Sequence, residues 1–317
     1  MLLLMPTFYS VAFLGLKLKT NDIKSISQMK YFIRDKITNL IPLVSIILPI
    51  YNAKMYLNEC INSILGQTFC NFELLVLDDG STYDSLQIAE SYKDERIKII
   101  RCEHNFIKTL NRGIGESKGK YIARMDADDI MHKDRLLKQF EILEHYKDIS
   151  VCSTYAETFG LSRKIIGVGD KFIDTPLLSL LAHNIIIHPS VMMRKSFLQI
   201  NNISYTNYPY AEDYKMWVDI ADAGGRFYVI SEALLKYRIN ENQVSHINSA
   251  KQTETAFRIQ TKILEILLKR NTYKKDRINN FCQTMLDANY DELIDGPQII
   301  NIFYQLFLAI KYKSFKN

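Results

Sequence analysis

Val44-Ser-Ile-Ile-Leu-Pro-Ile50 is a short apolar run rich in β-branched residues, the pattern of a strand buried on both faces. Outward from it, Met55, Leu57, Ile61, Ile64 and Leu65 recur at helical spacing. Phe72-Glu-Leu-Leu-Val-Leu77 is a second strand, closed by the turn formers Asp78-Asp79-Gly80-Ser81. The pattern continues with a helix over Leu86 to Tyr92, a strand at Ile97-Lys-Ile-Ile100 and a helix over Leu110 to Ser117. A fourth strand, Lys120-Tyr-Ile-Ala-Arg-Met125, ends in Asp126-Ala-Asp-Asp129. A helix over Arg135 to His145 and a strand at Ile149-Ser-Val-Cys-Ser-Thr154 complete the series. Strands alternating with helices predict βαβ units and an α/β fold with a mostly parallel central sheet and flanking helices.

That order has a functional consequence, because ligands of open α/β sheets sit outside the carboxyl ends of the strands. Tyr51-Asn52, Asp78-Asp79 and Asp126 to Asp129 all fall there. Asp126 and Asp128 face one side of an extended segment, since side chains alternate. Two such carboxylates repel unless a cation or solvent separates them. Oxygen ligands suit Mg²⁺ or Mn²⁺, commonly held by one or two carboxylates together with substrate phosphates. The spacing therefore points to a nucleotide diphosphate bound through a metal; a solvated acidic loop would show the same spacing. No GxxxxGK[ST] phosphate loop occurs, and Gly113-Ile-Gly115-Glu-Ser-Lys-Gly119 precedes a strand instead of following one, so it fails the dinucleotide-loop test.

Composition sets the outer bounds. The 317 residues are 47% hydrophobic and 24% charged, which excludes a disordered chain. Five scattered cysteines, Cys60, Cys70, Cys102, Cys152 and Cys282, contain no CxxC pair, so neither a zinc ribbon nor a disulfide framework is expected. Residues 1–42 hold six basic and two acidic side chains, and residues 251–317 eleven and seven, whereas the middle is slightly acidic. Basic ends suit an anionic surface or are solvated lysine; no aromatic-basic nucleic-acid module is present.

Five stretches then follow in order: Val44 to Asn52, Ser63-Ile-Leu-Gly-Gln-Thr-Phe69, Glu73 to Thr82, Gly119 to Asp129 and Asp134-Arg-Leu-Leu137. Together they resemble the family 2 glycosyltransferases, over roughly residues 43 to 245. The resemblance implies the Rossmann-like GT-A fold. It also implies inverting transfer of a sugar from a nucleotide sugar, a UDP-sugar by expectation, to a hydroxyl of a glycan or lipid-linked acceptor in cell-surface polysaccharide synthesis. It places Pro49, Tyr51 and Asp79 at the nucleotide base, Asp126 and Asp128 in the DxD motif with Asp128 as the ligand of Mn²⁺ or Mg²⁺, and Asp213 as catalytic base. His188, Glu212 and Trp217 fall in its acceptor-side motifs, with a core aromatic as the other reading of Trp217 and a buried histidine hydrogen-bonded to backbone as that of His188. Two departures stand out: Leu110 holds the place of an arginine, and Asn240 that of a histidine able to reach the metal, with His246 too far along to replace it. A sugar nucleotidyltransferase is disfavoured because Ile50-Tyr-Asn-Ala-Lys54 lacks glycine, and a non-catalytic protein of this fold because metal and base carboxylates are both present.

The expected organisation is an N-terminal extension (1–42), a catalytic domain (43–245, with nucleotide-sugar binding in 43–155 and acceptor binding in 156–245) and a helical C-terminal extension (246–317). The apolar, then basic run Ile299 to Lys316 reads as an interfacial helix or as one packed on protein. With no spanning segment or signal peptide expected, the setting implied is cytoplasmic, peripheral at the inner face of the membrane.

Overall fold

A computed structural model describes residues 41–82, 84–169, 171–240 and 248–270. The termini and His246 lie outside them, as does Cys282. Strands β1 (Val44–Ile50), β2 (Phe72–Asp78), β3 (Ile97–Arg101) and β4 (Tyr121–Arg124) form a parallel group in the spatial order β3-β2-β1-β4. Helices α1 (Leu57–Leu65), α2 (Ser85–Ser91) and α3 (Phe106–Glu116) make the crossovers. The third helix begins four residues before the expected Leu110, because the Asn105 side chain accepts a hydrogen bond from Lys108 N (3.0 Å) and caps it.

Beyond β4 the chain adds β5 (Ile130–Met131), α4 (Arg135–His145), β6 (Ile149–Gly160), β7 (Ile165–Ile166) and β8 (Lys171–Ile173). Then come α5 (Pro176–Ala182), β9 (Met192–Arg194), α6 (Lys195–Ile200), α7 (Glu212–Asp222), β10 (Arg226–Ile239) and α8 (Ser249–Arg270). Among the described residues the sheet has ten strands, and its path continues from β4 through β9, β6, β10 and β5. β9 runs antiparallel to both β4 and β6, whereas the long pair β6 and β10 is parallel. The sheet is therefore mostly parallel and flanked by helices, the GT-A arrangement expected from sequence.

Strand alternation sorts the apolar side chains to two faces. Ile47, Leu75, Leu77 and Ile122 join Leu110, Trp217 and, from α8, Ile259, Ile263 and Leu264. Ile46, Leu48, Leu74, Val76 and Ala123 join α1 (Leu57, Cys60, Ile61, Ile64) and α4 (Leu136, Leu143). Both faces of β1 are covered, so its register is fixed: a one-residue slip would exchange the two cores. In that register Ile50 stands beside Asp78 and Ile47 beside Arg124, which brings the ends of β2 and β4 to either side of the end of β1.

Candidate active site

The nucleotide side is built from the turns after β1 and β2. Pro49 is buried in β1. Asn52, at φ 49, accepts Thr82 N on its Oδ1 (3.0 Å), and its own N–H donates to Ser81 Oγ (3.2 Å), lashing the two turns together. Asp79 is 3% exposed. Its Oδ1 accepts Asn105 N (2.9 Å) and the Thr109 hydroxyl (2.5 Å), so the start of α3 holds it in place. Tyr51 is half-exposed above it and stacks on His104.

The metal side is the turn after β4. Arg124 occupies the last position of a strand whose four residues are all buried, and its guanidinium pairs with Asp126. Asp129 is buried; its Oδ1 accepts Arg238 N (2.8 Å), while Oδ2 has no hydrogen-bond partner. Asp128 Oδ2 lies 3.4 Å from Asn240 Nδ2, and Arg238 Nε donates to the Asp128 carbonyl (2.8 Å). Arg238 itself is held between Tyr56 and Phe159, at 4.1 and 4.3 Å from the ring centroids. Burial, and after it the charge of Asp126, push the Asp128 carboxyl up to about 6 and Asp129 well above the carboxylate range. The orphaned buried Asp129 oxygen, beside the crowded Asp126 and Asp128 carboxylates, is donor chemistry that fits a divalent cation. Among the described residues no three His, Cys, Asp or Glu side chains form a cage by themselves.

The third side is the first turn of α7. Asn184 Nδ2 donates to Asp213 Oδ2 (2.9 Å). Burial raises the Asp213 carboxyl, and the Tyr214 N–H and Asn184 amide moderate the rise. Burial, then the charge of Asp213, carry Glu212 up to about 7. The charges of Arg124 and Asp126 act on Glu212, Asp213 and Tyr205 alike, so the end of β4 lies within electrostatic reach of the start of α7.

Three positions singled out from the sequence are placed as follows. Trp217 is 0% exposed and belongs to the core; acceptor contact is closed to it because sheet and helices cover the indole on all sides. It meets His188 edge-on, ring centroids 6.0 Å apart. His188 is only partly accessible, and its Nε2 lies 2.8 Å from the Tyr205 hydroxyl. Burial, with the Arg124 charge second, holds that imidazole well below its usual range, hence neutral. Leu110, in place of an arginine, is fully buried core. Sequence reading missed Arg124, Asn184 and Tyr205. Only Arg124 carried a signal: a cation inside a buried strand needs a partner.

Comparison with known proteins follows that geometry. Residues 45–200 match the family described as Glycosyl transferase family 2. An uncharacterized glycosyltransferase of Haemophilus influenzae is 38% identical over 234 residues, 69% of this chain and 72% of the relative. The Bacillus subtilis protein named "Putative teichuronic acid biosynthesis glycosyltransferase TuaG" is 31% identical over 216 residues, 66% of this chain and 83% of its own length. The crystal structure of S. aureus TarS 1–349 in complex with UDP-GlcNAc superposes with a TM-score of 0.60 at 22% identity, covering 74% of this chain and 68% of that one; it supports the fold. Motif order, sheet and relatives agree, and the chain belongs to glycosyl transferase family 2.

Proposed function

We propose that this glycosyltransferase moves a sugar, with inversion, from a UDP-sugar to a hydroxyl of a glycan or lipid-linked acceptor in polysaccharide synthesis. The observation that carries the reading is that Asp126 lies within electrostatic reach of Glu212 and Asp213, with the end of β2 and its Asp79 on the other side of β1. The TarS structures with UDP and with UDP-GlcNAc support a uridine nucleotide, and the name of TuaG supports a polysaccharide product.

In this reading Tyr51 and Asp79 hold the base, Asp79 accepting its ring N–H. Asp126, locked by Arg124, faces the ribose and phosphates. Asp213 is the base: Asn184 and the Tyr214 N–H fix its carboxylate, and it removes the acceptor hydroxyl proton as that oxygen attacks the anomeric carbon. The bond from that carbon to the phosphate oxygen breaks, and its electron pair leaves with UDP. General-base assistance of this kind contributes about 10²–10⁴-fold. A divalent cation at Asp128, when bound, stabilises the charge gathering on the leaving diphosphate.

The test is Asp213→Asn: turnover at saturating substrates should fall by about 10²-fold or more, with UDP affinity within about twofold of the parent. Near-normal turnover would remove Asp213 from the role. Peripheral work at the inner membrane face belongs to the same proposal. No helix among the described residues is long and apolar enough to cross a membrane. Co-sedimentation of the chain with anionic vesicles tests that setting.

A further inference from the structure

The pocket read above as the base site is filled by a side chain of the protein itself. His104 follows β3, and its imidazole lies on the ring of Tyr51, centroids 4.3 Å apart and planes 26° from parallel. Its Nδ1 is 2.9 Å from the main-chain oxygen of Asp79 and 3.4 Å from Asp79 Oδ2. The other carboxylate oxygen, Oδ1, is committed to Asn105 and Thr109, so Oδ2 is the one that faces the ring. Gly80, at φ +80, leaves the space this needs, since a Cβ there would stand 3.3 Å from His104 Cβ.

A planar ring stacked on Tyr51, with a ring nitrogen bonded to the Asp79 main-chain oxygen and 3.4 Å from its Oδ2, occupies the place that the proposed function gives to uracil. Rings already in stacking contact leave no gap for a third between them. The His104 side chain is 63% exposed, so it can swing outward without opening the core. We propose that His104 is an internal stand-in for the nucleobase: it closes the pocket in the free enzyme and the donor's base displaces it. A base that brings a ring N–H, such as uracil, replaces both contacts. Cytosine turns a ring acceptor toward the carboxylate and replaces only the stacking. The preference for uracil belongs to Asp79, and His104 sets the affinity for either base, because the covered fraction weakens every ligand by the same factor. The inference rests on the reading of Tyr51 and Asp79 as the base pocket.

The experiment is calorimetric titration of UDP and CDP, with Mn²⁺, into the full chain and into His104→Ala, His104→Phe and Tyr51→Ala. If the ring covers the pocket about nine-tenths of the time, apparent Kd is weakened about tenfold, and His104→Ala recovers that factor for UDP and for CDP alike. His104→Phe keeps a ring on Tyr51 without the nitrogen at Asp79 and should fall between the two. The exposed position makes loss of folding an unlikely confounder to read as tightening, because misfolded protein binds less. Unchanged or weaker UDP binding by His104→Ala overturns the proposal; weaker binding would mark the ring as a wall of the occupied pocket. If Tyr51→Ala leaves UDP affinity untouched, the base-pocket reading itself fails. If Tyr51→Ala weakens UDP binding and His104→Ala does not tighten it, only the stand-in fails.

Discussion

Arg124 is the residue on which the site's charge depends. It is 2% exposed and pairs with Asp126, and its charge also acts on Asp213 and Glu212. Removing Arg124 leaves the Asp126 charge uncompensated, and because Asp126 is a third exposed the cost stays below the roughly 3–5 kcal/mol of a fully buried pair. Arg124→Met should therefore lower the melting temperature, and Arg124→Lys, which keeps a cation beside Asp126, should lower it less. Equal losses in the two variants would contradict the pairing. Glu212 gives a second, independent reading. Burial holds its folded carboxyl up at about 7, above the ordinary 4.5, so the folded state binds the proton more tightly than the unfolded chain. Stability from this group is complete below about pH 4.5 and is lost as pH rises through 7. Glu212→Gln removes the effect, so the stability of the variant relative to the parent should climb by about 1–3 kcal/mol between pH 5 and pH 8. Thermal melts of both proteins at the two pH values, without added metal, check it; a flat difference would refute the assignment.

At the scale of elements, β4 is positioned by how closely its neighbours approach. A Cβ at Gly119 would stand 2.5 Å from Ser45 N and 2.8 Å from Val44 C, main-chain atoms that cannot rotate away. Gly119→Ala should force β4 off β1 and carry Arg124 and Asp126 with it, costing about 2 kcal/mol or more and weakening UDP binding. Gly115, on α3, meets nothing within 4 Å, and Gly115→Ala should stabilise by about 0.5–1 kcal/mol through helix propensity. Denaturant melts of the pair give opposite signs if the packing is as described. The same strand is braced from below by Arg135, fully buried on α4, whose Nη2 donates to the carbonyls of Arg124 (2.8 Å) and Val191 (3.2 Å). Gln139 extends the brace to Cys152 and Ser190. These bonds join β4, β6 and the turn before β9, which explains how a four-residue strand holds a charged turn in one place.

For the whole molecule, the donor should act as a clamp, because its parts engage the turns after β1, β2 and β4. A ligand that binds only the folded state stabilises it by about 2.7 kcal/mol at a hundredfold excess over Kd. UDP with Mn²⁺ should therefore raise the melting temperature by several degrees, and EDTA should remove most of that gain. UDP with EDTA matching UDP with Mn²⁺ would remove the metal from the proposal. Asp128→Asn should abolish the difference between the two conditions, since it deletes the carboxylate expected to hold the ion.

The local code of the chain determined the parallel group: buried β-branched runs, helical spacing between them and Asp-rich turns at their ends were readable because each is a short-range pattern. The order of motifs was enough to indicate the family and to nominate Asp79, Asp128 and Asp213. Tertiary structure alone decided the second half of the sheet, where β9 inserts antiparallel between β4 and β6 through pairings distant in sequence. It also decided that Trp217 is core, that Asn184 reaches Asp213, and that His104 lies on Tyr51. Those relations depend on which distant segments share a surface, and desolvation and charge at the mouth follow from that packing, which no window of neighbouring residues encodes.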